Sequence, residues 1–200
     1  MDLSVSLLDL WLAIMASSFA VFIASSLAHM VLPHHKKDWD KLPDEEALLE
    51  FIRKNKVPRG QYMFPSCEDW NDLKDPEKKK HYMAGPHGTI RIWSGMPNMG
   101  RNLGLTFLSY IIIGLFVAFL SSMANLQAGS EFMPVFIFTA TAAIMAYTFG
   151  YIGDTIWYGQ PLKPFLNDLA DSILFGLLTG VMFALLWPGL PEATLPGVTG

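Results

Sequence analysis

The chain has 200 residues, 52% of them hydrophobic and 16% charged, with mean hydropathy +0.32 and a formal net charge of −4 from 14 Lys and Arg against 18 Asp and Glu. It is too apolar for an average soluble domain, and basic residues interleaved with acidic ones argue against a nucleic-acid-binding face. Cys67 is the only cysteine, which excludes an intrachain disulfide and a complete Cys-based metal site.

Four apolar stretches organise the sequence: 7–32, 103–124, 133–157 and 165–187. Each is long enough as a helix, at about 1.5 Å per residue, to cross roughly 30 Å of hydrocarbon. Thirteen of the Lys and Arg residues fall between Lys36 and Arg101, and the last is Lys163. Lys36, Lys37 and Lys41 closely follow the first stretch, and Arg91 and Arg101 approach the second. Positive charge close to span ends marks the cytoplasmic side. The expected protein is therefore an all-α integral membrane protein, a four-helix transmembrane bundle with a small α+β cytoplasmic insertion between spans one and two. Both termini, including an outer tail over 188–200, are then outside.

In chain order, span one begins beside Asp2 and Asp9, where a secretory signal would carry positive charge. Its apolar stretch is also too long for such a signal, so it reads as a retained span. Ala16, Ala20 and Ala24 recur every fourth position along it, as small residues do where helices approach closely. Trp11, like Trp157 and Trp187 later, lies near a span end and suits an interfacial anchor.

The insertion, 33–102, has its own periodicity. Pro43, Asp44, Glu45 and Glu46 make a favourable first helical turn, Leu48, Leu49 and Ile52 share a face, and Lys54 and Lys56 suit the negative end of the dipole. Residues 61–64 and 89–93, bounded by Pro and Gly, are candidate strands that pair with each other. Between them 68–82 reads as polar helical turns broken at Asp75 and Pro76. Tyr62, Phe64, Trp70 and Trp93 are expected to pack together, on the membrane surface or on a partner, because so small a unit buries too little surface to be secure alone.

Spans two to four each carry a small-residue stripe: Gly114, Ala118 and Ser122; Ala142, Ala146 and Gly150; Gly176, Gly180 and Ala184. Such stripes predict a compact bundle.

Ionisable residues are costly in hydrocarbon, so their placement points to a site. Between Asp9 and His29 of span one, and over 103–130, 133–153 and 172–191, there is no Asp, Glu, His, Lys or Arg, which argues against a proton relay or charged-substrate path through the middle. The exceptions share one depth. His29 lies near the cytoplasmic end of span one, Asp154 near the end of span three, and Asp168 and Asp171, three apart, at the start of span four. With His34 and His35 just beyond span one, they are candidates for a polar basin able to hold a divalent cation or exchange protons. Helix-dipole complementation is the competing explanation for Asp168 and Asp171, and solvated interfacial side chains for the histidines. No phosphate loop, nucleophile elbow or haem-attachment motif is present. His29, His34 and His35 faintly resemble one histidine box of membrane di-iron enzymes, which need several. Asn98, the amides near Gly100 and Arg101 form a possible anion contact at the start of span two.

The segments Pro58-Arg-Gly-Gln-Tyr-Met-Phe-Pro65, Lys74-Asp-Pro-Glu77, Gly85-Pro-His-Gly88 and Pro97-Asn-Met-Gly100, with the span layout, resemble a family of bacterial four-span inner-membrane proteins of about this length. That resemblance implies topology and location and carries no activity or catalytic residues. Three functions are then open. The first is an accessory or scaffold subunit of an inner-membrane complex, with membrane lipids and other membrane-protein subunits as partners. The second is a small transporter or metal- or proton-handling protein using the basin. The third is a lipid- or quinone-directed enzyme.

Overall fold

The computed structural model describes residues 3–67 and 69–190. The first residues of the chain, Glu68 and the tail beyond 190 lie outside the described residues, so most of the expected outer tail does too.

Four helices are long and apolar enough to cross a membrane. A 3-10 turn, Leu7–Leu10, runs into α1 (Trp11–Met30). Two short helices follow, α2 (Glu45–Lys54) and α3 (Pro76–Ala84), then the long α4 (Met99–Met123), α5 (Phe132–Tyr158) and α6 (Leu162–Leu185). Their boundaries follow local chemistry. Asp44 and Asp75 accept the orphan amides at the starts of α2 and α3, with Pro76 pre-set for the first turn of α3. Asn98 accepts from the Arg101 amide, 2.9 Å, at the start of α4. Gly159 ends α5 in the left-handed region, φ 70°, which a side-chain-bearing residue rarely adopts.

The bundle closes as a ring. α5 and α6 pack most extensively, α1 lies between α6 and α4, and α4 completes the circuit against α5. Leu10, Val21, Val117, Ala118, Val135 and Phe183 are nearly inaccessible at its centre. Small residues set the closest approach. A Cβ added at Gly176 would stand 2.8 Å from the Ile144 backbone nitrogen, and one at Gly180 2.6 Å from the Ala140 Cβ. At Gly114 it would meet Ile14 of α1 at 3.2 Å. Ala118 is buried and Ala184 packs on the core, while Ala16, Ala20 and Ala24 lie half-buried beside the contact face of Ala13, Ser17 and Val21. The α5 stripe is corrected. Ala142 packs on the core, but Ala146 and Gly150 are exposed, because α5 turns Ala140, Ala143 and Tyr147 inward. Buried hydroxyls such as Ser18 and Thr139 return their protons to the preceding turn, at Ile14 O (2.7 Å) and Val135 O (2.7 Å), whereas the buried Thr148 Oγ1 has no hydrogen-bond partner among the described residues.

Between α1 and α4 the two expected strands form. β1 (Gly60–Phe64) pairs antiparallel with β2 (Gly88–Ile92), with Gln61 opposite Arg91 and Met63 opposite Thr89. A common aromatic core does not. Trp70 is 73% exposed and Trp93 67%, while Phe64 lies over Gly88 and Tyr62 donates to Pro58 O, 2.8 Å. No described residue from 29 to 109 is buried. Two five-residue strands and two short helices cannot enclose these side chains.

Candidate functional site

Where α1 ends, Pro33 redirects the chain into a single 3-10 turn, His34–Lys37, which lies against both α1 and α6. α6 presents Asn167 and Asp171 to this turn. They are four residues apart and so share one helix face. Asn167 Nδ2 donates to His34 O at 3.0 Å and to Asp38 Oδ1 at 2.8 Å, strapping the turn to the helix. That strap sets the three histidines around Asp171, which is 8% exposed.

His34 Nε2 lies 3.2 Å from Asp171 Oδ1, and His35 Nε2 3.0 Å from Asp171 Oδ2. His35 Nδ1 makes a short hydrogen bond to Asp38 Oδ2. A carboxylate can only accept. Both ring nitrogens of His35 therefore donate, and without a metal the ring is an imidazolium. Its environment agrees. Burial works to lower the His35 pKa, yet hydrogen bonds to Asp171 and Asp38, and the charges of both, outweigh it and raise the pKa above the ordinary value. His29 stacks on His35 with ring centroids 4.2 Å apart and planes at 14°, and its Nδ1 donates to Ser25 O at 3.0 Å. The next hydroxyl in line is that of Tyr110 on α4, which donates to Ser25 Oγ at 2.9 Å.

One ligand atom from each of His29, His35 and Asp171 falls within 4.8 Å of the others. Ligands about 2.0–2.1 Å from a tetrahedral ion stand roughly 3.3 Å apart, so closing the site needs the widest pair to approach by up to about 1.5 Å and the His29 ring to turn out of its stack on His35, since each imidazole coordinates through a lone pair in its own ring plane. His29 is exposed at the last turn of α1 and is free to supply it. His29 and His35 each keep Nδ1 on an oxygen acceptor, which leaves Nε2 as the coordinating atom. That orientation of the far nitrogen is the usual outer-shell arrangement of metal-bound imidazole.

The expected basin residues therefore divide. His29, His34 and Asp171 come together with His35. Asp168, three residues before Asp171 on α6, has its carboxylate engaged by a partner outside the cluster. It accepts from Gln160 Nε2 at 2.9 Å, and Gln160 Oε1 accepts from Thr155 Oγ1 at 3.1 Å, closing the turn between α5 and α6. Asp154 pairs with Arg91 of β2 at 3.4 Å, half-exposed on both sides. The helix-dipole explanation also fails for both α6 carboxylates. α6 begins at Leu162, so Asp168 and Asp171 lie beyond the first turn, where that effect has decayed. Sequence reasoning missed Asp38 and Asn167, the two groups that orient the cluster. Their signals were spacings: Asp38 three residues after His35 in a tight turn, and Asn167 one helical turn before Asp171.

The chain matches no protein-family model, no curated protein and no solved structure.

Proposed function

We propose that this is a multi-pass protein of the bacterial inner membrane that binds a divalent transition-metal ion at the cytoplasmic boundary of its bundle. His29 Nε2, His35 Nε2 and Asp171 are its ligands, and His34 is the neighbour able to complete four-coordination. In this reading 33–102 is cytoplasmic and the α4–α5 connection lies outside. One observation carries the proposal: two imidazoles and a buried carboxylate converge while Asp38 and Ser25 O hold the far ring nitrogens. Two nitrogens and one oxygen suit zinc, iron or cobalt better than magnesium or calcium, which prefer all-oxygen sites. The ion replaces the proton shared by His35 Nε2 and Asp171 and ties α1, the 34–37 turn and α6 together. An interior without ionisable side chains argues for holding or sensing the ion rather than conducting it.

The test is calorimetric titration of zinc into chelator-stripped protein in detergent micelles. One saturable site is expected, with His29→Ala and His35→Ala each weakening it by about 100-fold or more while helix content is kept. Absence of saturable binding, or unchanged affinity in both variants, overturns the proposal.

A second reading, an accessory subunit of a membrane complex, is favoured by the segment between α1 and α4. Trp39 (91% exposed), Trp70 and Met96 (97%) have no core to enter, and such side chains suit contact with another surface. Native gels of gently extracted protein separate the readings. A larger assembly that survives removal of metal supports this one, and a monomer without partners counts against it.

A further inference from the structure

A second polar concavity lies well apart in sequence from the histidine cluster. Where β2 leads into α4, a cavity of about 350 Å³ is lined by Arg59, Trp93, Ser94, Met96, Asn98 and Arg101, among others, and no carboxylate contributes to its wall. Both guanidiniums lack an acidic partner among the described residues. The ion pairs of the same segment, Lys41 with Glu45, Arg53 with Glu46, Lys78 with Asp72 and Arg91 with Asp154, all lie outside this cavity.

The surroundings add positive potential and cancel none. The first turn of α4 has no acidic residue, and Asn98 already spends its side-chain oxygen on the Arg101 amide. Arg101 is therefore a cation at the positive end of a 25-residue helix, an arrangement that is unfavourable unless an anion sits between it and a second cation. Planar guanidinium forks match phosphate oxygens bidentately. Depth argues for the source of the phosphate. The apolar span starts at Leu103, two residues past Arg101, and the rim carries the exposed Trp93 and Met96. If the long helices cross a bilayer, this places both arginines at the level of lipid headgroups, where basic pockets beside span ends hold anionic lipids.

We propose that the Arg59–Arg101 cavity binds a phosphate-ester anion and that the anion is the headgroup of an anionic membrane lipid. Native mass spectrometry of the full chain in mild detergent tests it, with phosphatidylglycerol and phosphatidylcholine supplied in equal amounts. Bound phosphatidylglycerol is expected in about tenfold excess, equivalent to about 1.4 kcal/mol. Arg59→Gln and Arg101→Gln should each abolish the excess, and Arg53→Gln, outside the cavity, should leave it intact. Helix content and zinc titration verify that each variant is folded. Equal retention of the two lipids, or an excess unaffected by both cavity variants, overturns the proposal. Inorganic phosphate forms the second arm. If millimolar phosphate fails to displace phosphatidylglycerol, the headgroup assignment stands. If it displaces the lipid, the lipid source is refuted.

Discussion

Replacing Asp171 by Asn probes the histidine cluster with almost no change of shape. Each carboxylate oxygen accepts one imidazole N–H, at 3.2 and 3.0 Å, in a site where Asp171 is 8% exposed. Asn keeps one acceptor but points an NH₂ at a ring nitrogen that also carries hydrogen. One bond is lost, donor faces donor, and the imidazolium of His35 loses a counter-charge. A hydrogen bond to a charged group contributes about 1.5–3 kcal/mol, and breaking a buried ion pair costs about 3–5 kcal/mol. The His34 side chain remains 31% exposed, so solvent relieves part of this, and about 3 kcal/mol is expected. For a chain of this size each kcal/mol moves Tm by about 2–4 °C, which gives a fall of about 6–12 °C. Circular dichroism melts in micelles, with chelator and then with zinc, read it directly. In the wild type zinc should raise Tm, since a ligand that binds only the folded state stabilises it, and in Asp171→Asn that increment should largely vanish. A variant melting within about 2 °C of wild type, with an unchanged zinc increment, would refute the placement of Asp171 at the centre of the cluster.

Metal-free protein should lose stability as pH rises. The raised pKa of His35 means its contribution is complete below its ordinary value near 6.5 and lost as pH climbs through the folded value. Tm measured with chelator between about pH 6 and 8 should therefore fall, and fall less in His35→Gln; a flat wild-type profile contradicts the imidazolium assignment. Asp38→Asn touches no metal ligand position but removes the negative charge beside His35 Nδ1 and leaves one oxygen for two donors, His35 Nδ1 and Asn167 Nδ2, so zinc affinity should drop by about 10–100-fold with helix content unchanged. Gly176→Ala forces a methyl against the α5 backbone at Ile144 and should cost about 1–3 kcal/mol. Gly153→Ala, with nothing within 4 Å, should be neutral or slightly stabilising, and melts of the pair decide whether α5 and α6 meet as described. Protease added to sealed right-side-out vesicles should fail to cut near Lys78; cleavage there reverses the proposed orientation.

The fold was legible wherever one physical signal dominated. Long apolar stretches, the acidic helix start around Asp44, the break at Asp75 and Pro76 and the Pro- and Gly-bounded strands all report local chemistry, and the described elements follow them closely. Interhelical faces were less legible, because several small-residue registers coexist on one helix. On α6 the Gly176 and Gly180 register is the one pressed against its neighbour. On α5 the competing register of Ala140 and Ala143 is buried, and Ala146 is left outside. The site was half legible for a related reason. Scarcity of charge near the spans drew attention to His29, Asp168 and Asp171, but whether Asp168 or Asn167 joins Asp171 depends on where α6 begins and which way it is rotated. Pairing of Asp154 with Arg91 is likewise a tertiary event, joining residues distant in sequence. The segment between α1 and α4 marks a limit of another kind: its aromatics announced packing, yet among the described residues Trp39, Trp70 and Trp93 stay exposed.

Cobalt(II) substitution tests the central claim most directly, because the visible spectrum reports both occupancy and coordination. Stripped protein titrated with cobalt should develop the intense d–d bands of a four-coordinate ion, saturating at one equivalent, bleached by zinc and absent from His35→Ala. A spectrum that stays that of six-coordinate aqueous cobalt throughout the titration would contradict a metal centre formed by His29, His35 and Asp171.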